Sequence, residues 1–232
     1  GQGIETSYLQ ILADTLQIDA ARIEIVQGDS DVATGIGSMG SRSLYIGGSA
    51  MMTASNQAID TGRQLAGEAL EAPPADIAYA EGRFTVAGTD LGIDLGELAA
   101  RQPEQRIAIS TVQKVDGPSW PNGVHVCELE IDPETGQVEI VRYTTVDDVG
   151  RVINPLIVAG QVHGGIAQAV GQALMEQVVY DDEGQLLTGS FMDYALPRAD
   201  DLPHIDTYTD ESSPCRINPL GAKGVGELGT VG

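Results

Sequence analysis

The glycine-rich segment 221–230, which reads GAKGVGELGT, constrains this chain of 232 residues more than any other stretch. Glycine occurs where the backbone takes a positive φ or comes close to another group. Glu227 is the one carboxylate of the segment and follows Lys223 by four positions. A loop of this kind can hold a carboxylate within hydrogen-bond reach of a ligand, which is the first requirement of a general base. A solvated glutamate on a glycine-rich turn is the alternative interpretation.

Charge and cysteine content restrict the classes of partner. The net charge of −22 argues against nucleic acid or an anionic membrane as partners, and no apolar run reaches the length of a membrane span. An anionic cofactor stays compatible, because helix N-termini bind phosphate without net positive charge. The two cysteines, Cys127 and Cys215, are too few and too far apart for a metal cluster or a disulfide framework. We expect both to be reduced packing residues of a cytoplasmic protein, with the periplasm as the alternative location.

The first half of the chain predicts helices and short strands. The sequence patterns indicate a helix over 4–17, a strand over 22–27, a long helix over 44–70, a strand pair over 76–86 and a weak helix over 94–101. The chain begins at Gly1 without an initiator methionine, and we expect it to be part of a longer protein.

The second half begins after an irregular crossover, predicted over 113–123. Two strands, 124–131 and 138–147, flank a glycine-containing turn and form the clearest hairpin. A helix reaching about Met175 follows, and further strands are predicted at 176–180 and 204–209. The fold class is therefore α+β, with mixed sheets and packed helices. We predict two halves of one lobe, residues 1–112 and 124–232, on either side of the crossover.

Two segments match the dinucleotide-binding pattern G-x-G-x-x-G without its structural context. In the first, residues 35–40, seven residues separate the preceding strand from the first glycine, whereas a Rossmann unit places that glycine directly after the strand. The second, residues 224–229, has no room after it for a helix and an acidic partner. A motif match without its structural context is weak evidence, so we interpret both matches as coincidence.

The segment Gly40-Ser41-Arg42-Ser43 stands at the start of the long predicted helix. Both serines can cap that helix, and the free N–H groups there attract an anion. Arg42 adds a planar fork suited to phosphate. Simple capping beside an exposed arginine is the alternative.

A related pattern surrounds Gln161, which we place at the start of the helix that follows Asn154-Pro155. A glutamine both donates and accepts hydrogen bonds, so it can read the polar edge of a heterocycle. Gln2, between Gly1 and Gly3, repeats the theme. His163 is either a metal ligand or, as lone histidines more often are, a structural residue. Three such loops entering helices favour a large, polar, phosphate-bearing cofactor.

Five segments, in order along the chain, together resemble one family: the large, molybdenum-cofactor-binding subunit of the xanthine dehydrogenase, aldehyde oxidoreductase and carbon monoxide dehydrogenase enzymes. They are GQGIET at 1–6, GDSD at 28–31 with GSRS at 40–43, DDVGRVINP at 147–155, GQVHGG at 160–165 and KGVGELG at 223–229. The chain departs from the pattern at Ile4, where many relatives carry histidine. The copper-bearing cysteine loop of the carbon monoxide branch is absent from this sequence, as are the family's N-terminal half and its first glycine-rich cofactor motif.

The resemblance implies a site. Glu227 becomes the active-site carboxylate beside the molybdenum, where it acts as the base in oxidative hydroxylation of an aldehyde or an N-heterocycle. No protein ligand to the metal is implied. The implied cofactor is molybdopterin with molybdenum, in the cytosine dinucleotide form by family analogy. The residues implied to contact it are Gln2, Gly3, Gly40, Ser41, Arg42, Ser43, Gln161, Lys223, Gly224 and Val225.

The resemblance also implies partners. The family builds its site between two lobes, and electrons leave through iron–sulfur and flavin (FAD) domains or subunits. We therefore expect the N-terminal lobe of the same subunit, iron–sulfur and flavin subunits and a small-molecule substrate as partners, and no activity of this fragment alone. A non-catalytic pterin-binding module and a purely structural domain are the alternatives, and neither requires Glu227.

Overall fold

The computed structural model describes residues 2–32, 35 and 37–231, and within them helices and two small sheets alternate along the chain. The first half comprises α1 (Ile4–Leu16), α2 (Ser49–Ala69), β1 (Ile77–Ala80), β2 (Arg83–Val86), β3 (Gly92–Asp94) and α3 (Leu95–Ala100). The second comprises β4 (Asn122–Ile131), β5 (Val138–Asp148), α4 (Pro155–Val170), β6 (Ile205–Thr209) and α5 (Leu228–Val231). The predicted α+β class is confirmed.

The two sheets differ in topology. The first is an antiparallel sheet of three strands in the order β1-β2-β3. In the second, β5 is central, pairing antiparallel with β4 and parallel with β6. The predicted hairpin is therefore confirmed, and β6 adds a crossover strand to it after α4.

Three clusters of buried side chains hold these elements together. In the first, α2 packs on the first sheet, and Gly62 is required because a Cβ there would lie 2.2 Å from Phe84 Cζ. The third cluster packs Val162 and Ile166 of α4 against Tyr143 of β5. The second joins Ile11 and Tyr45 to Leu220 and Ala222, so the core is continuous between the two halves of the chain. The proposed boundaries at 112 and 124 stay predictions.

The long predicted helix is confirmed, with a wider first part: residues Ser43–Gly48 form a π-helical turn that runs into α2. Gly47 fits this turn because the Tyr8 hydroxyl occupies the place of its side chain, 1.9 Å from an ideal Cβ. A second π-helical turn, Gly171–Met175, extends α4 to the predicted end.

Two strand predictions are wrong. Residues 23–27 form no regular structure, and 176–180 contribute only an isolated bridge between Tyr180 and Leu186. The segment 22–27 alternates in sequence and 176–180 ends in Val178, Val179 and Tyr180, which favour strands, but a strand also needs a neighbouring strand to accept and donate its backbone hydrogen bonds. Neither is paired into either sheet.

Within the described part of the chain, no helix combines the length and apolarity needed to cross a membrane.

Candidate functional site

The glycine-rich segment is anchored along the end of β5. Lys223 N–H donates to Val149 O at 2.7 Å, Arg151 N–H donates to Gly221 O at 2.9 Å, and Gly150 forms a bridge with Ala222. Gly150 permits this approach, since a Cβ there would lie 2.2 Å from Gly221 O. The backbone that leads to Glu227 is therefore fixed to the second sheet.

Most of the residues predicted for the site line one cleft of about 300 Å³. Those in its wall are Gln2, Gly40, Ser41, Ser43, Gln161, Lys223, Gly224, Val225 and Glu227. They come from segments at both ends and in the middle of the chain. Tertiary structure thus gathers the loops that the sequence singled out separately.

Gly3 and Arg42 lie outside this lining. Gly3 takes a φ of 74° before α1, and a Cβ there would lie 2.7 Å from Ile157 Cδ1. Arg42 donates from Nε to Met39 O at 3.2 Å. A packing role for Gly3 and a loop contact for Arg42 are what the geometry shows, and their cofactor contacts stay predictions.

Glu227 and Ser41 are hydrogen-bonded twice. Glu227 N–H donates to Ser41 Oγ at 3.1 Å, and that hydroxyl donates to Glu227 Oε2. Ser41 has a left-handed φ of 51°. The glycines around Glu227 permit the contact, because a Cβ on Gly224 would lie 2.4 Å from Ser41 O and one on Gly226 would lie 2.8 Å from Ser41 Oγ. This pairing fixes an otherwise exposed carboxylate at the rim of the cleft.

The cleft lining also carries neutral hydrogen-bonding groups. Gln2 Nε2 donates to Ser38 Oγ at 2.9 Å, and the hydroxyls of Ser38 and Ser43 lie 2.5 Å apart. Tyr8 O–H donates to Ser43 O at 2.7 Å, and burial raises the pKa of this phenol above its usual value of 10.0. The Gln2 amide and the two serine hydroxyls thus form a connected set, and Tyr8 holds the backbone of Ser43.

Helix capping differs from the expectation. Arg42 precedes the first helical turn, and neither it nor Ser41 or Ser43 caps that turn with its side chain. Gln161 lies well inside α4, which begins at Pro155. The cap of α4 is Asn154, whose Oδ1 accepts from Ile157 N–H at 3.1 Å. The predictions of serine caps and of Gln161 at the helix start are therefore wrong, although the π-helical turn and α4 direct Ser43 and Gln161 to the cleft.

A larger cavity of about 580 Å³ lies beside the cleft and shares Gly40, Ser41, Gly224 and Glu227 with it. Its further lining residues are Ser119, Trp120, Pro121, Asn122, Gly123, His125, Leu228 and Val231. Sequence reasoning treated residues 113–123 only as a crossover. The Trp-Pro-Asn-Gly run was the available signal that this segment forms a wall of the site.

His163 and the cysteines have no metal-binding arrangement. His163 Nε2 lies 2.8 Å from Thr207 Oγ1, which is a structural contact between α4 and β6. Among the described residues, no three His, Cys, Asp or Glu side chains are grouped as a metal site. Both cysteines are free thiols; Cys215 is half-buried, but Cys127 is exposed, so the packing role expected for Cys127 is wrong.

The cleft fits a large polar cofactor such as a molybdopterin. Apart from Lys223, whose ammonium is paired with Asp148, its side-chain donors are neutral amides and hydroxyls, as suits a heterocycle with many polar edges. The close packing of Gly224 and Gly226 against Ser41 leaves their backbone, rather than side chains, along the cleft. The α+β fold, together with a glycine-lined polar cleft and one carboxylate at its rim, is that of a cofactor-binding domain.

Comparison with known proteins identifies the family within that class. The model of the molybdopterin cofactor-binding domain family matches residues 1–203, and the chain belongs to this family. The chain is 42% identical to the 6-hydroxypseudooxynicotine dehydrogenase complex subunit gamma of Paenarthrobacter nicotinovorans over all of its length and 30% of that protein. It is 36% identical to the carbon monoxide dehydrogenase large chain of Hydrogenophaga pseudoflava, again over 100% of this chain and 30% of the relative.

Solved structures agree with the fold. Quinoline 2-oxidoreductase from Pseudomonas putida 86 is similar with a TM-score of 0.88 and 36% identity, over 100% of this chain and 31% of that one. The chain therefore spans about 30% of the length of the curated relatives it matches. The resemblance to molybdenum-cofactor-binding large subunits is confirmed at the level of the domain.

Proposed function

We propose that this chain is the part of a molybdenum hydroxylase large subunit that grips the pterin cofactor and supplies Glu227 as the active-site base. The reaction proposed is oxidative hydroxylation of an aldehyde or an N-heterocycle. The observation that carries the proposal is the convergence of Gln2, Ser41, Gln161 and Glu227 on one cleft. The wide separation of these residues in sequence argues for selection of a site rather than for a local turn.

The cofactor proposed is molybdopterin with molybdenum, in its cytosine dinucleotide form. The amides of Gln2 and Gln161 and the hydroxyls of Ser41 and Ser43 would hold it through neutral hydrogen bonds. When bound, it supplies two-electron redox chemistry and lowers the pKa of water at the metal.

The chain's own contribution is a positioned carboxylate. Ser41 binds both the backbone N–H and the side chain of Glu227, so the base is held before a substrate arrives. Pre-positioning removes conformational freedom that would otherwise be lost during the reaction. General-base assistance of this kind contributes about 10²–10⁴-fold to a rate.

The remainder of the site and the path of the electrons belong to partners in this proposal. The N-terminal lobe of the same subunit would close the cleft, and iron–sulfur and FAD subunits would accept the electrons. The relative named as a subunit of a dehydrogenase complex supports such an assembly. A cytoplasmic location is proposed with it.

The test compares Glu227→Gln with wild type in the full-length subunit that carries this segment. Loss of turnover of about 100-fold or more, with unchanged molybdenum content, is the expected result, because glutamine keeps the shape but accepts no proton. Glu134→Gln, on the exposed turn between β4 and β5, is the matched control. Unchanged turnover in Glu227→Gln, with molybdenum retained, would instead favour the non-catalytic pterin-binding module.

A further inference from the structure

We propose that Ser119 is a positioning residue for Glu227, acting through the Gly224 amide. This inference rests on the proposed function, in which Glu227 is the base. Ser119 lies in the segment between the two halves of the chain, outside every motif that identified the cofactor cleft. Its hydroxyl accepts a hydrogen bond from Gly224 N–H at 3.3 Å.

The position of that hydrogen bond matters. The pairing of the glycine-rich segment with the end of β5 extends to Lys223, whose N–H donates to Val149 O. The next amide, that of Gly224, is held by Ser119 instead. Ser119 thus fixes the backbone at the point where it leaves the sheet and turns toward Glu227.

Gly224 transmits its position to the carboxylate through packing. It is buried, and a Cβ on it would lie 2.4 Å from Ser41 O and 2.8 Å from Ser41 Cβ. Ser41 in turn binds the N–H and the carboxylate of Glu227. A shift of the Gly224 backbone therefore moves the residue that orients the base.

A buried polar array holds the strand that follows Ser119. His125 Nε2 lies 3.1 Å from Asp147 Oδ1 and its Nδ1 lies 3.1 Å from Tyr143 Oη. The His125 and Asp147 side chains are 7% and 0% exposed. Gly123 packs directly on the same carboxylate, with 2.1 Å between an ideal Cβ and Asp147 Oδ1. The start of β4 is thereby fixed to β5, and with it the segment that carries Ser119.

Contacts of β4 and β5 thus both help to hold the glycine-rich segment. Asp148 Oδ2 accepts from Lys223 Nζ at 2.6 Å, while its neighbour Asp147 holds the strand that leads back to Ser119. The loop is therefore anchored at two consecutive residues, at Lys223 through Asp148 and at Gly224 through Ser119.

The experiment uses the full-length subunit loaded with cofactor, with the variants Ser119→Ala and Ser119→Thr. Removing the acceptor is expected to lower kcat about threefold to tenfold with KM unchanged, the range for loss of one hydrogen bond, and threonine is expected to restore most of the rate. Hydrogen–deuterium exchange of the 222–228 amides is expected to accelerate at least about threefold in Ser119→Ala. Ser190→Ala, whose hydroxyl binds Asp193 and which lines neither cavity, is the control.

A double-mutant cycle separates the two proposals. If Ser119 acts through the base, Ser119→Ala lowers turnover no further in the Glu227→Gln background. An equal loss in both backgrounds, or unchanged amide exchange in Ser119→Ala, overturns the positioning role. Full turnover of Glu227→Gln overturns the base assignment instead, and the exchange measurement still reports whether Ser119 holds the loop.

Discussion

Lys223 and Asp148 form a hydrogen-bonded ion pair at the start of the glycine-rich segment, with 2.6 Å between Nζ and Oδ2. The two side chains are only 10% and 16% exposed. Asp148 Oδ1 also accepts from Gly150 N–H at 2.8 Å. The pair joins the end of β5 to the loop that carries Glu227. The resemblance implied that Lys223 contacts the cofactor, but in the structure its ammonium is paired with Asp148.

Replacing Lys223 by methionine is expected to destabilise the segment by about 3 kcal/mol, because Asp148 would be left as a nearly buried, unpaired charge. The measurement is the free energy of opening of the 221–226 amides, obtained from hydrogen exchange. Adding Asp148→Asn should recover part of the loss. The control is Lys114→Met, at the other lysine of the chain, which is exposed. Equal exchange in Lys223→Met and wild type would contradict an anchoring role.

Gly165→Ala is expected to destabilise the protein by about 1–3 kcal/mol. A Cβ at Gly165 would lie 2.8 Å from Gly229 Cα, and backbone cannot move aside as a flexible side chain can. The neighbouring Gly164 faces open space in the same helix, so Gly164→Ala should stabilise by up to about 1 kcal/mol. Thermal unfolding of the two variants should therefore shift in opposite directions, and a shared direction would refute close packing of α4 on α5.

Gln161→Ala is expected to lower cofactor content about tenfold at limiting cofactor, since the loss of up to two hydrogen bonds weakens binding by that order. The measurements are molybdenum per subunit by mass spectrometry and pterin by fluorescence. Gln168, exposed in the same helix and outside both cavities, provides the control Gln168→Ala. Equal cofactor content in both variants would remove Gln161 from the binding site.

The raised pKa of Tyr143 predicts that the protein loses stability at high pH. Burial, and then the charges of Cys127 and Asp147, raise the pKa of this phenol above its ordinary value of 10.0. A raised folded-state pKa contributes stability that is present below about pH 10 and is lost as the pH rises through the folded value. Tyr143→Phe should therefore flatten the decline of Tm with pH above 10. Tyr208→Phe, at an exposed site, is the control, and equal slopes in the two variants would contradict the assignment.

Local patterns were sufficient for the elements with strong periodicity or turn signals. The β4–β5 hairpin, α1 and the long helix α2 all follow from such patterns and occur where they were predicted. The strand predictions failed at 22–27 and 176–180, because a local sequence pattern says nothing about whether a partner strand is available. The prediction of serine caps was wrong for a similar reason. The π-helical turn at Ser43–Gly48 depends on Tyr8, which packs against Gly47 from another helix.

By itself, the sequence determined which residue types could form the site. Glu227 lies among glycines, and Gln2, Ser41 and Gln161 lie beside other glycines. Such clusters can be recognised in the sequence because glycine content determines local backbone freedom. Only the tertiary structure decided which of these residues meet: it placed Glu227 against Ser41, left Gly3 and Arg42 outside the cleft lining, and brought Ser119 to the Gly224 amide. Those contacts join positions more than a hundred residues apart, and such pairings depend on how the sheets and helices pack rather than on any local pattern.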